Sequence, residues 1–192
     1  ESAKFDIHLL NRNIPIAYSS VIDEQLLLKV RAHFNSVFEI STLIKLPFLM
    51  AYQSPQTLGL DRLCNAAALS QLERGKPRLA IDLGTCIKFD FLDAYNCYQG
   101  GSISPGLQMR AKAMAHFTAK LPEVKPAPTQ QLIGHDSTEC LEIGTYMGWK
   151  KEIEGLLLTY QTQYPELITY ITGGDAQHFD LGQKNGIFVH EN

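Results

Sequence analysis

Short apolar runs alternate with amphipathic stretches along the whole chain, which is the pattern of a mixed α/β protein. The clearest unit lies at 80–93. An apolar strand breaks at a polar turn, Asp82-Leu-Gly-Thr85, and a second strand leaves through Phe89, Asp90, Phe91 and Leu92. Before it, the pattern predicts a short strand within 5–10, a strand over 14–21 and a helix over 23–34. A strand at 37–40 and a loop at 42–47 come next. The predicted helix start is acidic, where the helix dipole favours negative charge. Pro55 and Gly59 mark a loop ahead of another helix, whose small face runs through Leu63, Ala66, Ala67, Leu69 and Ser70. Gly75 reads as its C-cap, with Arg74 in the last turn.

Beyond the turn, residues 98–107 read as a third strand that breaks into a glycine-rich loop. A helix over 107–119 carries Met109, Met114 and Phe117. A proline-bearing extended loop spans 121–129. Asp136 or Ser137 caps a further helix or helix pair that runs to about residue 163. A strand over 166–172 ends in Thr172-Gly-Gly174, residues 175–180 are helix or loop, and 186–190 form a last strand.

Composition narrows the field. The 192 residues suit one medium domain or two small lobes, and 45% hydrophobic content suits a full core. Net charge is −3 and the pI about 6.1, so nothing points to a nucleic-acid or anionic-membrane partner. No apolar run approaches the roughly 20 residues of a membrane span. Neither a secretory signal pattern nor a Cys-x-x-Cys pair occurs; two of the four cysteines fall in predicted element interiors, as buried cytosolic thiols do. The six histidines show no metal-ligand spacing and read as structural or surface groups.

The turn at Asp82 carries the candidate chemistry. Gly84 lets an anion approach the backbone, consecutive N–H groups can cup a phosphate, and Thr85 adds a hydroxyl. Asp82 repels phosphate, but it can hold a cation that does not. Taken alone, the stretch reads first as a hairpin with a polar turn. Asp61 and Arg62, alone, read as a helix-start acid and a surface cation.

Five motifs in one order change that reading. They are Tyr52 with Leu58-Gly-Leu-Asp-Arg62, Asp82-Leu-Gly-Thr85 with Asp90, Gly100-Gly-Ser-Ile-Ser-Pro-Gly106, the stretch 134–144 with Thr138, and Thr172-Gly-Gly174. Together they resemble type III pantothenate kinase, over about two-thirds of the chain. The resemblance implies the actin-like ATPase (ribonuclease H-like) α/β fold, two lobes of mixed sheet with flanking helices, here 1–75 and 76–192. It implies a cytoplasmic enzyme that phosphorylates pantothenate with ATP and Mg²⁺, the first step of coenzyme A biosynthesis. It further implies a homodimer with a shared active site, helices of the 107–119 region lying at the interface.

Carried over by position, Asp61 is the catalytic base. Tyr52, Gly59, Leu60, Asp61, Arg62 and Thr138 bind pantothenate, Arg62 gripping its carboxylate. Gly84, Thr85, Gly173 and Gly174 bind the nucleotide, and Asp82 binds a monovalent cation, K⁺ or NH₄⁺. Two departures stand out. Lys88 puts a cation where the family has a small hydroxyl. The family's opening phosphate hairpin, Asp-x-Gly-Asn-Thr-x-x-Lys, is not found, so both ends are expected to be clipped. The alternatives are a catalytically silent relative acting as a ligand-binding regulator, and another phosphotransferase or phosphatase of the same fold.

Overall fold

The computed structural model describes residues 10–18, 24–40, 44–179 and 187–189. The strand expected within 5–10 lies almost wholly outside them. Packing divides the chain into two units, Glu1–Leu46 with Ser54–Leu63 and Pro47–Gln53 with Cys64–Asn192.

The first unit holds β1 (Ile16–Tyr18), α1 (Glu24–His33) and β2 (Val37–Glu39), with the two strands parallel. Val30 and Phe34 pack with Leu10, Ile16 and Val37. Arg31 lies over the Tyr18 ring and donates to its hydroxyl at 2.5 Å.

In the second unit a six-stranded sheet is built from β3 (Leu49–Met50), β4 (Arg78–Leu83), β5 (Cys86–Leu92), β6 (Cys97–Pro105), β7 (Ile168–Thr172) and β8 (Ile187–Val189). Its order is β3-β6-β5-β4-β7-β8. The β4–β5–β6 meander is antiparallel, whereas β3 joins β6, β7 joins β4 and β8 joins β7 in parallel. Between β5 and β6 the chain reverses at Asp93, whose Oδ1 accepts the N–H groups of Tyr95 and Cys97 at 2.9 Å. Asn96 takes the left-handed conformation there, at φ 62°.

Strand alternation sorts β4 and β5 into two faces. Leu79, Ile81, Leu83, Ile87, Phe89 and Phe91 form an apolar face. Across it lies α4 (Ser137–Gln163), one continuous helix of 27 residues, about 40 Å long. Tyr146, Trp149, Ile153 and Leu157, spaced three or four apart, make its contact stripe. Asp136 caps it by accepting the Glu139 N–H at 2.9 Å, and Glu139 reaches back to the His135 N–H at 2.8 Å. Asp82, Lys88 and Asp90 alternate to the opposite face, so the charged groups stand on the side away from α4.

Helix α2 (Leu60–Leu69) stops earlier than its small-residue face predicts. Arg74 and Gly75 lie beyond it rather than capping it. The cause is Arg78, fully buried at the start of β4. Its guanidinium donates to the carbonyls of Leu69 at 3.2 Å, Leu72 at 3.0 Å and Asp93 at 2.9 Å. Those carbonyls end the helix and tie it to the sheet and to the β5–β6 turn. Burial pushes the Arg78 pKa down, against the pull of Asp93. The thiols also depart from expectation, since Cys64 and Cys140 are exposed and Cys86 and Cys97 are half-buried. Cys64 sits on the outward side of α2, and Cys140 in the first turns of α4. Among the described residues, no helix is long and apolar enough to cross a membrane.

Replacing Arg78 with Met would take the guanidinium from three carbonyls, of which those of Leu69 and Asp93 keep a backbone N–H from Leu72 and Asn96, at a cost of about 2 kcal/mol. Urea unfolding should show that loss as a lower midpoint. A change below about 1 kcal/mol would mean that the helix end is satisfied by other groups.

Candidate active site

The turn after β4 is gripped from two sides by other backbone. From one side the Gly106 N–H donates to the Thr85 carbonyl at 3.1 Å, and from the other the Asp175 N–H donates to the Leu83 carbonyl at 2.8 Å. Glycine is required at both approaches. A Cβ on Gly106 would lie 2.2 Å from the Gly84 carbonyl oxygen, and one on Gly173 2.4 Å from that of Leu83. Gly173 also has φ +100°, a conformation that side chains disfavour. The Pro105-Gly106 approach is braced in turn. Arg110 Nε donates to the Pro105 carbonyl at 2.8 Å, and Glu152 of α4 accepts from both Arg110 and Ser104.

Beside this turn opens a cleft of about 550 Å³, lined by Gly84, Thr85, Gln108, Met109, Lys112, Gly174 and Asp175. That volume is in the range of sites that hold ligands of nucleotide size. The predicted nucleotide-side residues Gly84, Thr85 and Gly174 therefore come together in one wall, with Gly173 shaping the backbone beneath. Helix α3 (Leu107–Phe117) starts at Gly106 with no side-chain cap. Its opening N–H groups and positive dipole end thus lie by the cleft. Lys112 and Asp175 escaped the sequence reading. The signal for Lys112 was its spacing, since residues 108 and 112 share a helix face. A smaller cavity of about 250 Å³, lined in part by Phe91, Gly100, Gly101, Tyr160 and Tyr164, contains none of the predicted site residues.

Asp82 stands two residues before the turn, in register with Lys88 on β5 and Thr172 on β7. Lys88 Nζ lies 2.7 Å from Asp82 Oδ2, and both side chains are largely buried. Asp90 is fully buried on β5. Its Oδ1 accepts from the Tyr98 hydroxyl at 2.7 Å and its Oδ2 from the Asn65 amide at 3.1 Å. Tyr98 in turn packs against the Tyr52 ring, with centroids 6.0 Å apart. Tyr52 also lies against Gly100. This chain of contacts holds Tyr52 in place and anchors α2 through Asn65, one turn along from Asp61.

Asp61 is exposed in the first turn of α2, and its Oδ1 accepts the Arg62 N–H at 2.8 Å. Gly59 makes that posture available, because a Cβ there would sit 2.5 Å from Asp61 Oδ1. Leu60 opens the helix half-buried. Arg62 is 4% exposed, which removes the reading of a solvated surface cation. Thr138, the second residue of α4, is exposed and does not line the cleft. Met109 borders the cleft, Met114 packs beside Ala111, Val124 and Leu141, and Phe117 is 82% exposed.

The type III pantothenate kinase family model matches residues 6–159. The chain belongs to that family. A type III pantothenate kinase from Phocaeicola vulgatus is 40% identical over 174 residues, covering 91% of this chain and 70% of that protein. One from Christiangramia forsetii is 40% identical over 157 residues, covering 82% and 65%. A Bacteroides fragilis relative of the same name is 41% identical over 144 residues, covering 75% and 59%. The chain thus spans 59 to 70% of the length of these relatives. Its fold is shared with a Campylobacter jejuni protein described as a Baf family transcriptional activator. That match has a TM-score of 0.56 and 20% identity, and covers 95% of this chain and 78% of that one. The expected actin-like α/β architecture is therefore the one found.

Asp175 gives the cleft a pH signature. Burial pushes its carboxyl above the ordinary 3.8, and His178 partly offsets this. The folded chain then keeps this proton at pH values where the unfolded chain has lost it. Stability falls as pH rises from about the unfolded value through the folded one, and the cost persists at neutral pH. Asp175→Asn should accordingly raise the melting temperature at about pH 7, with the gain vanishing near pH 3. An equal gain at both pH values would trace it to something other than the carboxylate charge.

Proposed function

We propose that the whole protein transfers the γ-phosphoryl group of ATP to the primary hydroxyl of pantothenate. The products are 4′-phosphopantothenate and ADP, in a cytoplasmic reaction that opens coenzyme A biosynthesis. The observation that carries this is the cleft walled by Gly84, Thr85, Gly174 and Lys112, in a chain of this family. It offers a phosphate backbone donors, a hydroxyl, a helix N-terminus and an ammonium group together.

Each residue has a task in this reading. The turn N–H groups, Thr85 and Lys112 hold the phosphates, and Gly173 and Gly174 leave room for the nucleotide. Mg²⁺ would supply charge neutralisation here, and Asp175 on the cleft wall is the carboxylate that would help to hold it. Asp61 orients the pantothenate hydroxyl and takes its proton as the new P–O bond forms and the bond to ADP breaks. A carboxylate is a weak base, but a loose transition state asks more for position than for early proton removal. The Arg62 N–H fixes that carboxylate. Tyr52, Gly59, Leu60 and Arg62 form the pantothenate side.

The same reading includes a homodimer that shares its active sites, with Thr138 contributed across the interface. Supporting it, Phe117, Leu132 and Ile133 expose 82, 77 and 72% of their surface on the segment that leads to Thr138.

Asp61→Asn should lower pantothenate-dependent ADP release at least about 100-fold while the melting temperature stays near that of the parent. Near-normal release would remove Asp61 from the chemistry. Mixing inactive Asp61→Asn and Thr138→Val proteins tests the shared site. Subunit exchange should restore up to about a quarter of parental activity, because half of the sites in each mixed dimer are intact. No recovery despite exchange would mean that each subunit works alone.

A further inference from the structure

The cation expected at Asp82 is already supplied by the chain. Asp82 and Lys88 are directly opposed across the β4–β5 hairpin, and their 2.7 Å contact lies where only 17 and 14% of the two side chains meet solvent. An ammonium group and K⁺ carry the same charge, and Lys88 presents a compact point charge with three donors. A K⁺ ion beside the same carboxylate would meet Lys88 at close range. Like charges a few ångströms apart in a partly buried site repel strongly. A monovalent metal ion therefore does not fit the site as it is built.

We infer that the Lys88 ammonium group is a tethered replacement for the free monovalent cation, making this protein's phosphate-binding turn independent of K⁺ and NH₄⁺. Its role is electrostatic. Asp82 sits two residues before the Gly84–Thr85 turn, and its uncompensated charge would oppose a nucleotide phosphate in the cleft. Lys88 cancels that charge permanently, whereas a dissociable ion would cancel it only when bound. Arginine would keep the charge, and a small hydroxyl would reopen the space for an ion. The inference rests on reading this cleft as the nucleotide site, so its test needs a measurement that does not depend on turnover.

The experiment takes the whole protein, with Lys88→Thr and Lys88→Arg variants. Each is assayed in chloride salts of K⁺, NH₄⁺ or tetramethylammonium, with ATP and pantothenate free of K⁺. Pantothenate-dependent ADP release and melting temperature are both recorded. Parent and Lys88→Arg should release ADP at rates that agree within about twofold across the salts. Lys88→Thr should lose about tenfold or more in tetramethylammonium and recover in K⁺ or NH₄⁺. Its melting temperature should rise in K⁺ relative to tetramethylammonium, while that of the parent should not. A parent that loses about tenfold without K⁺, or melts higher in K⁺ than in tetramethylammonium, overturns the inference. So does a Lys88→Thr protein indifferent to the salt. If no protein releases ADP with pantothenate in any salt, the kinase reading fails, and the melting series still decides the role of Lys88.

Discussion

Everything at the centre of this molecule depends on how closely three backbone segments approach at the end of β4. The stretch 83–85 is hydrogen-bonded from the Pro105-Gly106 side and from the Gly174-Asp175 side, at separations that leave no space for a side chain. That contact sets where α3 begins and where the chain turns after β7, and it sets the shape of the cleft between them. A pocket lined by main chain is stiff, because its donors do not rotate as side chains do. The neighbouring Arg110–Glu152–Ser104 cluster serves the same end, pinning α3 and α4 to the strand that delivers Gly106.

The sheet separates two jobs by the simple alternation of its strands. Apolar residues on one face of β4 and β5 bind α4 and supply the cohesion of the unit. The other face carries Asp82, Lys88 and Asp90, each satisfied by a partner. Buried charges are tolerated there only because these partners are in place. The charged face can thus be specialised without disturbing the packing opposite.

Much of this was legible in the sequence wherever chemistry is local. The hairpin around Asp82, the Asp136 cap, the break at Thr172-Gly-Gly174 and the family motifs all depend on neighbours within a few residues. The misjudged positions depend on distant partners. The small-residue face of α2 ran on towards Gly75, but the helix ends at Leu69 because Arg78 takes its last carbonyls. Nothing near residue 69 announces that. Cys64 and Cys140 lie in helices, yet on faces turned outward. Lys112 and Asp175 reach the cleft only because α3 and the turn after β7 converge on one strand end. Lys88 was visible as a departure from the family pattern, but its meaning required the cross-strand register.

The order of the strands also bears on how the chain is made. On one side β4 pairs with its immediate successor, β5, while on the other its neighbour is β7, which begins at Ile168. As the protein emerges from the ribosome, the β4–β5–β6 meander completes itself early through short-range contacts. The other edge of β4, rich in leucine and isoleucine, then stays open while α3, the long loop and all of α4 are synthesised. An apolar edge left waiting is a template for wrong pairing, with a second nascent copy or with any passing strand. The central strand that gives the finished molecule its firmest core is therefore its most vulnerable segment during biosynthesis, and β7 is the part that must arrive before the danger ends.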